Sequence, residues 1–183
     1  MKKLISVLLV MLLLVPSLAF AQQESATELP KGATFEMDYQ AAKTMLGELV
    51  EEDEWGDETG FLYVLDVENV IGTLTAESLS YQVDSNNSQG TPRLSLVEVI
   101  LPVGDDCIAA FRNALAEMTS VYGEPDGDPF DEAGVEGYVE YGGLTATWAK
   151  ADVRINLSMG RMYGEYLNVD FSNRLCYDAD DLK

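Results

Sequence analysis

The sequence predicts an α+β fold of two similar units, each a helix packed on a three- to four-stranded antiparallel meander sheet. Two observations predict it: the order helix then strands occurs twice, and short sequence echoes recur at an offset of about 70 residues. The predicted divisions are a signal peptide at 1–21, a flexible lead-in at 22–33, a first unit at 34–103, a second unit at 104–178 and a tail at 179–183.

The first unit opens with a predicted helix at residues 35–50, which Thr34 can cap. Its apolar residues recur at helical spacing. They are Ala42, Met45, Leu46 and Leu49. Residues 51–60 are predicted to form an acidic loop with Trp55 packed against the body. Runs rich in β-branched and aromatic residues then predict three strands in meander order, at 61–67, 72–84 and 93–101.

The second unit opens with the strongest predicted helix, which Asp105 or Asp106 can cap and which Gly123 and Pro125 end. Its apolar stripe comprises Ile108, Phe111, Leu115, Met118 and Tyr122. Strands are expected to resume after Gly134.

Two of these strands alternate in polarity, at residues 153–159 and 165–171, so that one face of the sheet is buried and the other wet. The apolar stripe of the preceding helix is expected to cover Val153, Ile155, Leu157, Leu167, Val169 and Phe171. Because successive side chains of a strand alternate between the two faces of a sheet, four residues lie on the opposite face, where they form the candidate partner-contact surface. They are Arg154, Asn156, Tyr166 and Asn168.

The first 21 residues resemble an export signal. Lys2 and Lys3 precede an apolar run at residues 4–15, and Ala19 and Ala21 flank Phe20 as a peptidase requires, which predicts cleavage before residue 22. A retained anchor is the alternative, although the run is shorter than the about 20 residues of a membrane span. The expected location is secreted or extracytoplasmic, with no membrane attachment after cleavage.

The charge balance limits the partners. With 11 basic and 32 acidic residues the chain carries a net charge of −21, and loss of the two signal lysines makes it more negative. Nucleic acids and anionic membranes are therefore disfavoured as partners.

Two cysteines are present, Cys107 and Cys176. In an oxidising compartment an even count predicts one disulfide between them, and a pair of free thiols is the alternative.

The chain contains no histidine. Ser-His-Asp and Cys-His catalysis and the common zinc and iron sites need imidazole, so the sequence predicts no enzyme of those classes, no catalytic residue and no cofactor. Carboxylate-pair chemistry and oxygen-ligated cations stay open, whereas Ser-Lys chemistry is disfavoured because the chain has no Ser-x-x-Lys motif after residue 21.

Two motifs offer alternatives. Asp126, Asp128 and Asp131 suggest a calcium loop, but the spacing departs from the EF-hand pattern and an acidic connector is preferred, with no metal. Tyr138, Tyr141 and Trp148 suggest a sugar-stacking platform, but aromatic packing within the sheet is the preferred interpretation.

The helix ending in YGEP, Trp148 in the following sheet and the echo of GTLTA (72–76) in GGLTA (142–146) carry a resemblance to the secreted β-lactamase inhibitor proteins. Each unit is also similar to the small lipoproteins of the outer-membrane assembly machinery. Those inhibitors have one disulfide in each unit, whereas both cysteines here lie in the second half, so no functional residue is carried over. The resemblance implies an exported protein that binds another protein on an exposed sheet; a carbohydrate-binding module is the alternative and a small carboxylate-dependent hydrolase the third.

Overall fold

The computed structural model describes residues 27–56, 58–85, 90–161 and 165–174 and shows an antiparallel sheet with helices against one face. The described helical elements are a 3-10 turn at Pro30–Gly32, α1 at Tyr39–Leu46, α2 at Cys107–Tyr122 and α3 at Glu132–Tyr141. The described strands are β1 Glu51–Gly56, β2 Thr59–Ile71, β3 Leu74–Asp84, β4 Arg93–Ile100, β5 Gly143–Ala149, β6 Val153–Gly160 and β7 Tyr166–Asn173.

One sheet runs through both predicted units, in the strand order β1-β2-β3-β4-β7-β6-β5. Two meanders meet where β4 pairs antiparallel with β7, and Val99 lies opposite Val169 at this junction. The predicted α+β class and the meander order of the first three predicted strands are confirmed. The two sequence echoes lie at the starts of β3, an inner strand, and β5, an edge strand. They therefore do not mark equivalent strands of two similar units.

The core lies between the sheet and the helices, on what we call the covered face. Alternate residues of β6 and β7 point into it and are almost fully buried, as their period-two pattern predicts. Helix α2 packs on both strands and buries Phe111 and Met118 there. The prediction that this helix covers the apolar face of β6 and β7 is therefore confirmed.

The first helix is shorter than predicted. Asp38, and not Thr34, caps it by accepting a hydrogen bond from the Ala41 backbone N–H. A cap must combine an extended backbone with a side-chain oxygen in reach of the first turn, and Asp38 supplies both.

The predicted acidic loop at 51–60 is wrong, because Glu51–Gly56 form β1, which pairs antiparallel with β2. Acidic residues have low strand propensity, but pairing with the free edge of β2 overrides it. Charges along an edge strand also oppose its pairing with other chains. Trp55 is not packed against the body, since 52% of it is exposed.

The prediction that strands resume directly after Gly134 is also wrong, because helix α3 comes first. The Asp131 carboxylate caps it through the Gly134 N–H, and Gly142 ends it in a left-handed conformation. Valine and tyrosine have high strand propensity, but the two caps select a helix that packs beside β5.

The part of the predicted flexible lead-in that the structure describes, residues 27–33, is packed in place and is called the strap. Thr27 binds Asp152 in the β5–β6 turn through its backbone N–H (3.0 Å) and its hydroxyl (2.8 Å). The Tyr81 hydroxyl of β3 donates to the Pro30 carbonyl oxygen at 2.8 Å. These contacts connect the two meanders across the covered face.

Candidate functional site

The sheet face opposite the helices carries no helix among the described residues and is called the open face. Directly opposed residues form rows across its strands, and the central row crosses all seven strands. This row runs Glu51, Tyr63, Ser80, Glu98, Asp170, Asn156 and Thr147. At about 4.8 Å between strands, it spans about 29 Å.

Strand β2, next to the edge strand β1, carries apolar side chains on the open face. Phe61, Tyr63 and Leu65 point to it, because Leu62 and Val64 between them are buried in the core. The Phe61 and Tyr63 rings stack with centroids 6.2 Å apart, and Leu65 is 45% exposed. We call these three residues the apolar wall.

Sequence reasoning missed the apolar wall, although the signal was present. The run FLYVL does not alternate between apolar and polar residues, which is typical of a strand covered on both faces. The described helices cover one face of β2, so the other presents its apolar side chains to whatever approaches.

A trough follows β3 beside the apolar wall. Ser78 and Ser80 lie on the open face yet are buried, because their short side chains sit between the larger ones of β2 and β4. The opposite side of the trough is formed by Leu96, Glu98 and Ile100 of β4.

Two carboxylates face each other across the central strand pair, Glu98 on β4 and Asp170 on β7. Burial, and next the negative charge of Glu98, raise the pKa of Asp170 to about 6. Asn168 donates to both Asp170 oxygens at 3.2 Å, and the Ser80 hydroxyl lies 3.5 Å from a Glu98 oxygen. Sequence reasoning missed this pair, because it depends on a strand pairing between the two halves.

The four predicted contact residues all lie on the open face, on the strands of the second meander. The Arg154 Nε is buried with no hydrogen-bond partner, and Asn156 accepts a hydrogen bond from the Thr147 hydroxyl at 3.0 Å. Tyr166 is 46% exposed and lies over Gly160, whose missing Cβ leaves room for the ring. Their role in contacting a partner stays a prediction.

The three aspartates of the calcium-site alternative accept hydrogen bonds from backbone N–H groups. The carboxylate of Asp126 accepts from the Ala149 N–H, Asp128 from the Phe130 N–H and Asp131 from the Gly134 N–H. Within the described residues, no group of three His, Cys, Asp or Glu side chains is placed to hold a metal ion. The three aspartates organise the connector between α2 and α3.

The preferred interpretation of Trp148, aromatic packing in the core, is confirmed, because Trp148 is fully buried and its Nε1 donates to the Gly123 carbonyl oxygen at 2.7 Å. The sugar-platform alternative therefore lacks its central ring. Tyr138 lies on α3 and accepts a hydrogen bond from Arg161.

Cys107 is buried at the start of α2. Cys176, the signal segment and the tail lie outside the described residues, so the disulfide stays a prediction. No helix in the described ranges is long and apolar enough to cross a membrane.

Comparison with protein-family models, curated proteins and solved structures finds no match to this chain. The function must therefore be argued from the open face itself.

Proposed function

We propose that this chain is an exported, non-enzymatic binding protein that docks a protein partner on the open face of its sheet. The observation that carries the proposal is the apolar wall of Phe61, Tyr63 and Leu65, which points away from the core. Apolar and aromatic side chains held on a rigid sheet lose little entropy when a partner covers them.

The dimensions of the open face support a protein partner. Seven strands at about 4.8 Å and strands of about 27 Å in length give an area of about 800 Å². One side of a standard protein interface buries about 800 Å². The apolar wall supplies the anchors, and the polar residues of β5, β6 and β7 supply a rim that hydrogen bonds can satisfy.

Export and a two-unit origin belong to the same proposal. The predicted signal at 1–21 supports export, and the resemblance to the secreted β-lactamase inhibitor proteins supports binding through a sheet. A helix precedes a meander in each half, and Val99 lies opposite Val169, residues that the sequence offset of about 70 already relates.

The test compares Leu65→Ser and Phe61→Ser with Val139→Ser, a control at a position on α3 that is 79% exposed. Each variant is used to capture proteins from the producer's envelope and culture medium, and its thermal stability is measured. We expect the β2 variants to stay folded and to weaken capture by about 2 kcal/mol, the scale of an interface hot spot. Equal capture by all three variants would exclude the apolar wall as the site.

A carboxylate-dependent hydrolase is the second candidate, and the opposed Glu98 and Asp170 favour it. A retaining glycosidase holds two carboxyl groups about 5 Å apart and raises the pKa of one of them. Here the pKa of Asp170 is the one that is raised. Hydrolysis of 4-nitrophenyl glycosides that Glu98→Gln and Asp170→Asn both abolish would favour the enzyme over the binding protein.

A further inference from the structure

The two carboxylates at the centre of the open face, Glu98 and Asp170, form no ion pair with the described residues. Like charges directly opposite each other on paired strands are destabilising. Among the described residues, no basic side chain lies within 4.0 Å of the carboxylate of Glu98 or Asp170. The charged neighbours of Asp170 on the adjacent strands are Glu98 on β4 and, diagonally on β6, Arg154, which makes no ion pair with it. The fold therefore presents two negative charges side by side on a surface already suited to docking.

The trough beside this pair is bounded by an aromatic ring and a carboxylate, which suits a long side chain with a cationic end. Ser80 forms its floor, the Tyr63 ring forms one side and Glu98 the other. Lysine and arginine bury their aliphatic stems on apolar surfaces and keep the charged head near polar groups. The face of a tyrosine ring also attracts a cation.

We propose that the partner is a protein that inserts a lysine or arginine side chain over Ser80, with its cationic head between Glu98 and Asp170. The inference rests on the proposed function and names the chemistry of the partner. Residues beside this cation pack on Phe61 and Leu65, so the complementary segment combines a basic residue with an aliphatic or aromatic one.

Binding of this kind depends on pH. The cation binds the ionised form of Asp170, and the pKa of that carboxyl in the unbound protein is about 6. Affinity is therefore full above pH 7 and falls as the pH decreases through 6.

The test uses a phage-displayed library of random 16-residue peptides selected on the purified mature protein at pH 7.5. The affinities of synthetic copies of the selected peptides are then measured on the parent, on Glu98→Gln and on Asp170→Asn. Glu136→Gln and Glu140→Gln on α3 are the matched controls, because they remove the same charge from exposed positions elsewhere. Leu65→Ser reports separately on the proposed binding face.

We expect selected peptides that pair Lys or Arg with an apolar residue, and a loss of tenfold or more in affinity for either open-face acid variant, the scale of a charge-assisted hydrogen bond. The α3 controls keep the parent affinity. The parent loses affinity between pH 7.5 and 5, and Asp170→Asn loses less.

Five results would overturn the inference. Peptides without a basic residue, or an equal loss with the α3 controls, show that no specific cation site exists. A selection that yields no peptide above background does the same. If Leu65→Ser weakens binding while the acid variants do not, the binding face stands and the cation site fails; if none of these variants weakens binding, both fail.

Discussion

Asp170 occupies a position that folding alone does not favour. Its carboxylate is partly buried and lies opposite Glu98, so ionisation is harder in the folded protein than in the unfolded chain. Residues that reduce stability in this way concentrate at functional sites, since a binding surface is selected for its partner. The alternating pattern of β7 placed Asp170 on the wet face from the sequence alone, but its neighbour across the β4–β7 pairing lies 72 positions away in the chain.

Replacing Asp170 by Asn is expected to stabilise the protein at pH 7.5. The folded state holds its proton up to about pH 6, whereas the unfolded chain releases it near the ordinary value of 3.8. The free energy of unfolding therefore decreases as the pH rises from about 4 to 6, because the unfolded chain loses this proton more easily than the folded protein does. This difference in pKa between the folded and unfolded states corresponds to at most about 3 kcal/mol, and solvent screening reduces the expected gain in the free energy of unfolding to about 1 kcal/mol.

Urea unfolding of Asp170→Asn and of the control Glu136→Gln at pH 3.5 and 7.5 checks this. The gain should be present for Asp170→Asn at the higher pH and close to zero at the lower one. A gain of the same size at both pH values would mean that ionisation of Asp170 is not its cause.

Among the elements, strong local signals were read correctly and context-dependent ones were not. Helix α2 carries both a cap and an apolar stripe, so its bounds followed from the sequence. β1 is a run of acids that becomes a strand because β2 offers it an edge, and α3 is a valine- and tyrosine-rich segment that becomes a helix through its caps. Periodicity reports which face is apolar, but it does not report which neighbour will cover that face. For the same reason the apolar wall on β2 was not recognised as exposed.

The sequence left two candidates for the cap of α2, and the structure selects Asp106. Its Oδ1 accepts hydrogen bonds from the Ile108 N–H at 3.1 Å and the Ala109 N–H at 3.0 Å. Asp106→Ala is expected to lower the free energy of unfolding by about 1 kcal/mol. Asp105→Ala removes an equal charge one position earlier and should change it by less than half as much. Equal effects of the two variants in urea unfolding would assign the stabilisation to charge near the helix end and not to the cap.

At the scale of the whole molecule, the strap and the β4–β7 pairing make one body out of two meanders. The sequence predicted the class and the meander order of β2, β3 and β4, but it missed β1 and predicted a flexible lead-in where the strap lies. The strap is bound by residues far from it in the chain, and such contacts leave no periodic pattern in a sequence.

Thr27→Val tests the strap. It removes the hydroxyl that donates to Asp152 and keeps the backbone hydrogen bond, so the free energy of unfolding should decrease by about 1 kcal/mol. Thr34→Val, at an exposed position, is the control. Limited proteolysis should cleave the Thr27 variant faster within residues 27–33. Cleavage at the parent rate, with unchanged stability, would show that the strap does not depend on this bond.

β7, the last strand that the structure describes, lies in the middle of the sheet, between β4 and β6. A ribosome makes the chain from its N-terminus, so β4 is complete while the strand that pairs with it has yet to be synthesised. Until then β4 presents an unpaired edge and an apolar side, the kind of surface on which nascent chains aggregate. Pairing of β4 with β7 is therefore a late step as the chain is made, and until it forms the unfinished sheet is prone to aggregate.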